Sequence, residues 1–100
     1  MHNVVMLCAA GTSTHLFAEK IQKEIDAEGY GAHVSAWSVS QAKENHTSAE
    51  LLLLTPQVGF EQELVQALYP DTKVEVIDFD AFARMDADAV IEQIKQSFSA

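Results

Sequence analysis

Apolar and polar residues change their spacing several times along this chain, and each change predicts an element. Asn3–Leu7 is apolar after its first residue and reads as a short buried strand. From Ser13 the period lengthens. Phe17, Ile21 and Ile25, with Leu16 and Ala18 beside them, make one helical face, and Lys20, Lys23, Glu24 and Glu28 make the other. The Gly-Tyr-Gly of Gly29–Gly31 ends that helix. Ala32–Trp37 predicts a second strand, in which His33, Ser35 and Trp37 alternate with Val34 and Ala36. The polar stretch from Ser38 to Glu50 holds one short helix or turn. Leu51–Thr55 reads as a strand covered on both faces, broken by Pro56–Gly59. Phe60, Leu64, Val65 and Leu68 then give a helical stripe that ends before Pro70. Lys73–Ile77 is the fourth strand, rich in β-branched residues. Beyond Asp78–Phe82, the positions Val90, Ile91, Ile94 and Phe98 mark a last helix with an Asp-rich start.

Strands that alternate with helices, and are themselves apolar, argue for an α/β architecture. The expected fold is a three-layer arrangement, a four-stranded parallel sheet with helices on both faces. Residues 1–100 are expected to form one domain, since a chain of 100 residues supports one core and no repeat or linker divides it.

Composition narrows the function. With 48% hydrophobic and 21% charged residues the chain is of ordinary globular type. The longest aliphatic run, Leu51–Leu54, is too short to span a bilayer. The N-terminal residues lack the basic start and apolar core of an export signal, so a cytoplasmic location is expected. A net charge of −9, with no cluster of Lys or Arg, disfavours nucleic acid and anionic lipid as partners. His2, His15, His33 and His46 do not stand at ligand spacings with one another or with Cys8, so neither a metal nor a cofactor is expected.

The chemistry concentrates in Val4–Phe17, VVMLCAAGTSTHLF, where the single cysteine stands between the first strand and the first helix. In open parallel sheets ligands bind beyond the carboxyl ends of the strands. The loop that follows Cys8 there is Ala9, Ala10, Gly11, Thr12, Ser13, Thr14 and His15. Its small side chains let backbone N–H groups turn inward, and Gly11 permits a positive φ. Ser13 and Thr14 are suited to capping the helix and donating hydroxyls to an anion. Such a cup of donors, with a sulfur at its floor, fits a phosphate.

A free thiol is mostly protonated at neutral pH, so nucleophilic chemistry requires the loop to favour the thiolate. A helix terminus contributes about 0.3–1 kcal/mol, which leaves most of that work to N–H and O–H hydrogen bonds. Taken alone, Cys8 also fits a small buried hydrophobe that ends a strand. Tyrosine phosphatases place an Arg six residues after the cysteine. Here the sixth residue is Thr14, and the only arginine is Arg84. Without a guanidinium fork on the phosphoryl oxygens, hydrolysis is disfavoured, and holding the group until another acceptor arrives is favoured.

Three segments carry a family resemblance: MLCAAGTSTHLF from Met6, LLLLTPQVGFEQEL from Leu51, and KVEVIDFDAFARMDADAVI from Lys73. In their order and spacing the chain resembles the IIB component of the bacterial sugar phosphotransferase system, in the lactose/cellobiose/chitobiose branch. The resemblance implies a parallel sheet of strand order 2-1-3-4, related to the low-molecular-weight phosphatases. It also implies that Cys8 accepts phosphate from a phosphohistidine of a IIA protein. The group then passes to a β-linked disaccharide held by the membrane component IIC, which brings the carrier transiently to the inner face of the membrane. Such a carrier is expected to be a monomer. His15 stands where the family usually has a small hydroxyl residue, and Thr55 where it usually has Gly.

Other residues carry weaker signals. His15 fits a phosphate contact, a donor-site contact or a plain exposed helix residue. Gln57 follows the third strand on the Cys8 side and fits either a hydrogen bond to the loop or a turn. Asp78 and Asp80 fit caps better than general acids. Trp37, Phe60 and Tyr69 fit core or interface positions. Two other readings stay open: a phosphatase or arsenate-reductase-like enzyme, for which the Arg and a second Cys are missing, and a non-catalytic anion-binding module.

Overall fold

The computed structural model of the protein describes residues 2–9 and 12–99. Among them β1 (His2–Cys8), β2 (Ala32–Ser38), β3 (Leu51–Leu54) and β4 (Lys73–Val76) form one parallel sheet in the order β2-β1-β3-β4. The helices are α1 (Thr12–Glu28), α2 (Val39–Glu44), α3 (Gln62–Leu68), α4 (Phe79–Ala83) and α5 (Ala87–Phe98). A 3-10 helix, Pro56–Glu61, separates β3 from α3.

Side chains of a strand point to alternate faces, and the register turns that rule into two cores. Val4 and Met6 of β1 pair with Leu51 and Leu53 of β3. These four face a layer holding Phe17, Ile21 and Ile25 of α1 and Val90, Ile91 and Ile94 of α5. Val5 and Leu7 pair with Leu52 and Leu54 and face the other layer, with Val39, Ala42, Val58, Val65 and Tyr69. A buried Leu, Ile or Phe contributes about 1.5–3 kcal/mol. Both layers are closed by many such residues, so packing outweighs helix propensity in deciding where the helices lie. No helix of the described residues is long and apolar enough to cross a membrane.

The ends of the elements have local causes. Gly29 takes φ +73°, and the N–H groups of Gly29 and Tyr30 donate to the carbonyls of Asp26 and Ile25. That pair of bonds is the Schellman closure of α1, and it needs the left-handed conformation that Gly adopts without strain. Lys95 of α5 pairs with Glu28, which ties the last helix to the end of the first. The Glu28 hydrogen bond holds the Lys95 ammonium above the ordinary lysine range.

The structure departs from the sequence reading in three places. Between β4 and the last helix it inserts α4, capped by Asp78, whose carboxylate accepts from the Ala81 N–H at 3.2 Å. Met85, at φ +49°, separates α4 from α5, and Asp86 caps α5 in the same manner. Each Asp offers the free N–H groups of a new first turn an acceptor, so one run of residues divides into two helices. Second, the stripe Phe60, Leu64, Val65, Leu68 is not a core face. Val65 is buried, whereas Phe60 is 83%, Leu64 47% and Leu68 44% exposed. The 3-10 turn advances about 120° per residue and not 100°, so Phe60 falls out of phase with α3, and Val58 takes the inward position instead. Third, Leu16 is 60% exposed and lies outside the buried face of α1, which runs through Thr14, Phe17, Ala18, Ile21 and Ile25.

Candidate functional site

The site begins with the position of β1. It lies between β2 and β3, so its carboxyl end opens at the middle of the sheet edge and not at a margin. Cys8 is the last residue of β1 and is 5% exposed. Its thiol donates to the Trp37 carbonyl at 3.5 Å. Trp37 lies one residue before the partner of Cys8 in the β1–β2 register, Ser38. Trp37 itself is half-buried against the core layer that contains Leu7.

Alternation along β1 assigns Cys8 to the α1 side of the sheet, the side that Val4 and Met6 face. The helix α1 begins four residues later, at Thr12, and no Asp or Glu occupies its first turn. The free N–H groups and the positive end of the helix dipole are therefore left without a carboxylate to neutralise them. Thr14, in that first turn, is buried at 4% exposure, whereas His15 turns out to solvent. Ala9 follows β1 as an exposed bend. Ala10 and Gly11, and the side chains of Thr12 and Ser13, lie outside the described residues.

On the opposite flank, β3 delivers Thr55 to the same edge. Its N–H donates to the Leu7 carbonyl at 2.9 Å, which places it beside Cys8. Thr55 is fully buried, and its Oγ1 has no hydrogen-bond partner among the described residues. An unmet hydroxyl of this kind costs about 1–3 kcal/mol. Gln57, two residues on, is exposed, and its side chain makes no hydrogen bond among the described residues. Asp78 is engaged as the cap of α4, and Asp80 lies in the first turn of that helix. Arg84 is at the exposed C-terminal end of α4, with Asp86 at 3.8 Å. Tyr69 is a core residue, its hydroxyl donating to the Ala42 and Asn45 carbonyls at 2.7 and 3.2 Å.

The structure thus brings together Cys8, the start of α1 with Thr14, and Thr55, and leaves His15 and Gln57 facing solvent. Thr55 was missed as a site residue because a Thr after four leucines looks like the tail of a strand. Its signal was parity: counted from Met6 and Leu53, Cys8 and Thr55 fall on one face. The exposure of Leu16 and Phe60 was likewise hidden in the helical stripes. Leu16, Phe60 and Phe79 are 60%, 83% and 69% exposed, and each follows the carboxyl end of a strand, after β1, β3 and β4 respectively.

Known proteins share this fold. The family model of the lactose/cellobiose-specific IIB subunit of the phosphotransferase system matches residues 3–93. The oligo-beta-mannoside-specific EIIB component of Bacillus subtilis (strain 168) is 32% identical over 97 residues, covering 93% of this chain and 92% of that protein. Among solved structures, the lactose-specific IIB component domain from Streptococcus pneumoniae superposes with a TM-score of 0.80 at 13% identity, over 98% of both chains. The cellobiose-specific IIB component from Borrelia burgdorferi gives 0.76 at 22% identity, over 97% of this chain and 91% of that one. IIB components are the phosphotransferase parts of sugar uptake systems and work with IIA and IIC components. With the motifs, the strand order and the family model in agreement, this chain belongs to the lactose/cellobiose-specific IIB family of the sugar phosphotransferase system.

Proposed function

We propose that Cys8 is the phosphoryl carrier of this component. The thiolate sulfur attacks the phosphorus of a phosphohistidine on IIA. The S–P bond forms as the P–N bond breaks, and imidazole leaves. A hydroxyl of the sugar held by IIC then attacks the same phosphorus, the S–P bond breaks, and the thiolate returns as the hydroxyl proton is lost. Both steps are displacements in which the protein positions the groups and steadies charge. In this reading the N–H groups of Ala9, Ala10, Gly11, Thr12, Ser13, Thr14 and His15 hold the phosphoryl oxygens at the amino end of α1. The domain spans residues 1–100, acts as a monomer in the cytoplasm and meets the membrane only through IIC.

One observation carries the reading. The sole thiol of the chain ends the central strand, directly before a helix whose first turn holds no carboxylate. The only arginine, Arg84, sits beside Asp86 on the surface and so offers no fork for hydrolysis. A β-linked disaccharide is the substrate class. Lactose, cellobiose and the oligo-β-mannoside named for the similar proteins are all β-linked. We assign docking with the two successive partners to the exposed Leu16, Phe60 and Phe79.

The test is to incubate the protein with phosphorylated IIA and record its intact mass. A persistent gain of one phosphoryl group, abolished by Cys8→Ser, is the expected result. Release of inorganic phosphate would instead indicate a hydrolase, and an unchanged mass a binding module.

A further inference from the structure

Thr55 is fully buried, and its hydroxyl has no partner among the described residues. Its location follows from the sheet. Leu7 pairs with Leu54, and the Thr55 N–H donates to the Leu7 carbonyl at 2.9 Å. One step further, Thr55 stands beside Cys8. Met6 and Leu53 face the α1 layer, and Leu7 and Leu54 face away from it. Cys8 and Thr55 therefore return together to the α1 side, as neighbours on adjacent strands.

The thiol has its proton on the Trp37 carbonyl, at 3.5 Å. That contact suits only the protonated sulfur, because a thiolate there would set its lone pairs against a carbonyl oxygen. We infer that the Thr55 hydroxyl is the side-chain donor that receives the Cys8 sulfur once the thiol has lost its proton. The sulfur turns about χ1 from the Trp37 carbonyl to Thr55 Oγ1. The thiol proton passes to water, and the hydroxyl keeps its own proton and shares it in the new hydrogen bond. The inference rests on the reading of Cys8 as a nucleophile and deepens it, since Thr55 then touches the reacting atom. The same bond meets the need of a buried hydroxyl that has no other partner among the described residues.

Alkylation of Cys8 by iodoacetamide, followed by mass across the neutral and mildly alkaline range, tests this without any phosphoryl donor. Thr55→Val removes the hydroxyl and keeps the shape. It should displace the pH profile upward and slow alkylation at neutral pH about tenfold, as expected for losing a hydrogen bond to a charged group. Thr55→Ser should stay near the wild-type profile. Thermal melting of the Val variant should be no lower than wild type, because an unmet buried hydroxyl has gone. If Val disrupts packing, Thr55→Ala asks the same question. A wild-type profile in a folded Val or Ala variant overturns the inference, as does a Ser variant as slow as Val. Loss of fold in both Val and Ala assigns the hydroxyl to structure and overturns it too. Failure of phosphoryl transfer with a displaced alkylation profile would sink the carrier reading and leave Thr55 standing. The opposite pair of results would do the reverse.

Discussion

At the scale of single residues, the site depends on what surrounds one sulfur. Cys8 is buried, and it ends a strand at the carboxyl edge of the sheet. His15 stands in the first turn of α1 with its ring in solvent. On the proposed carrier reading, an imidazolium there would complement a phosphoryl dianion held on Cys8. Replacing His15 by Ser is therefore expected to shorten the half-life of phosphorylated Cys8 about two- to fivefold, the factor that about 0.3–1 kcal/mol of charge interaction gives. Mass spectrometry of the isolated phosphoprotein over time measures it, and an unchanged half-life rejects a role for His15. The place of the thiol at the end of the first strand was legible in the sequence, whereas the loop reading at Ala10 and Gly11 lies outside the described residues. The place of Thr55 was not legible, because it lies in the register of β1 against β3.

At the scale of elements, caps decide boundaries that periodicity leaves vague. The Ser38 hydroxyl accepts from the Gln41 N–H at 3.1 Å, and the Gln41 side-chain oxygen accepts from the Ser38 N–H at 2.9 Å. This reciprocal pair starts α2 as β2 ends, within a stretch whose polarity alone predicts only a short helix or a turn. Ser38→Ala should lower the unfolding free energy by about 1 kcal/mol, read as a shift of the urea midpoint with the slope unchanged. A midpoint equal to that of wild type would show that the packing of Val39 and Ala42 holds α2 without its cap. The same logic explains the missed α4. Asp78 and Asp86 are both visible in the sequence, but two caps eight residues apart fit one frayed helix or two short ones. Only the left-handed Met85 between them selects two.

At the scale of the whole molecule, the sheet gathers one edge from residues far apart in the chain. The carboxyl ends of β1, β3 and β4 lead to Cys8 and Thr14, to Thr55 and Phe60, and to Phe79. A net charge of −9 keeps such a protein dispersed while it carries exposed apolar residues. Among the described residues Phe60 is the most exposed large apolar one, and it buries almost nothing within this chain. Phe60→Ser should leave stability within about 0.5 kcal/mol, as an unpacked surface residue does. It should also weaken transfer from IIA or to the IIC-bound sugar by about fivefold or more, as the loss of an interface anchor does. Steady-state phosphoryl transfer with each partner varied in turn measures this, and wild-type kinetics with both would remove Phe60 from the docking surface.

The sequence alone determined the alternation of strands and helices and the apolar runs of β1 and β3 that require cover on both faces. Those follow from local physics: side-chain period and backbone preference. The tertiary structure decided which apolar residues stay outside. It turned the expected stripe of Phe60, Leu64 and Leu68 toward solvent, because a 3-10 turn shifted the phase and because the layer beneath was already filled by Val58, Val65 and Tyr69. It also set Thr55 beside Cys8, 47 positions away in the chain, through a strand register that no local pattern contains.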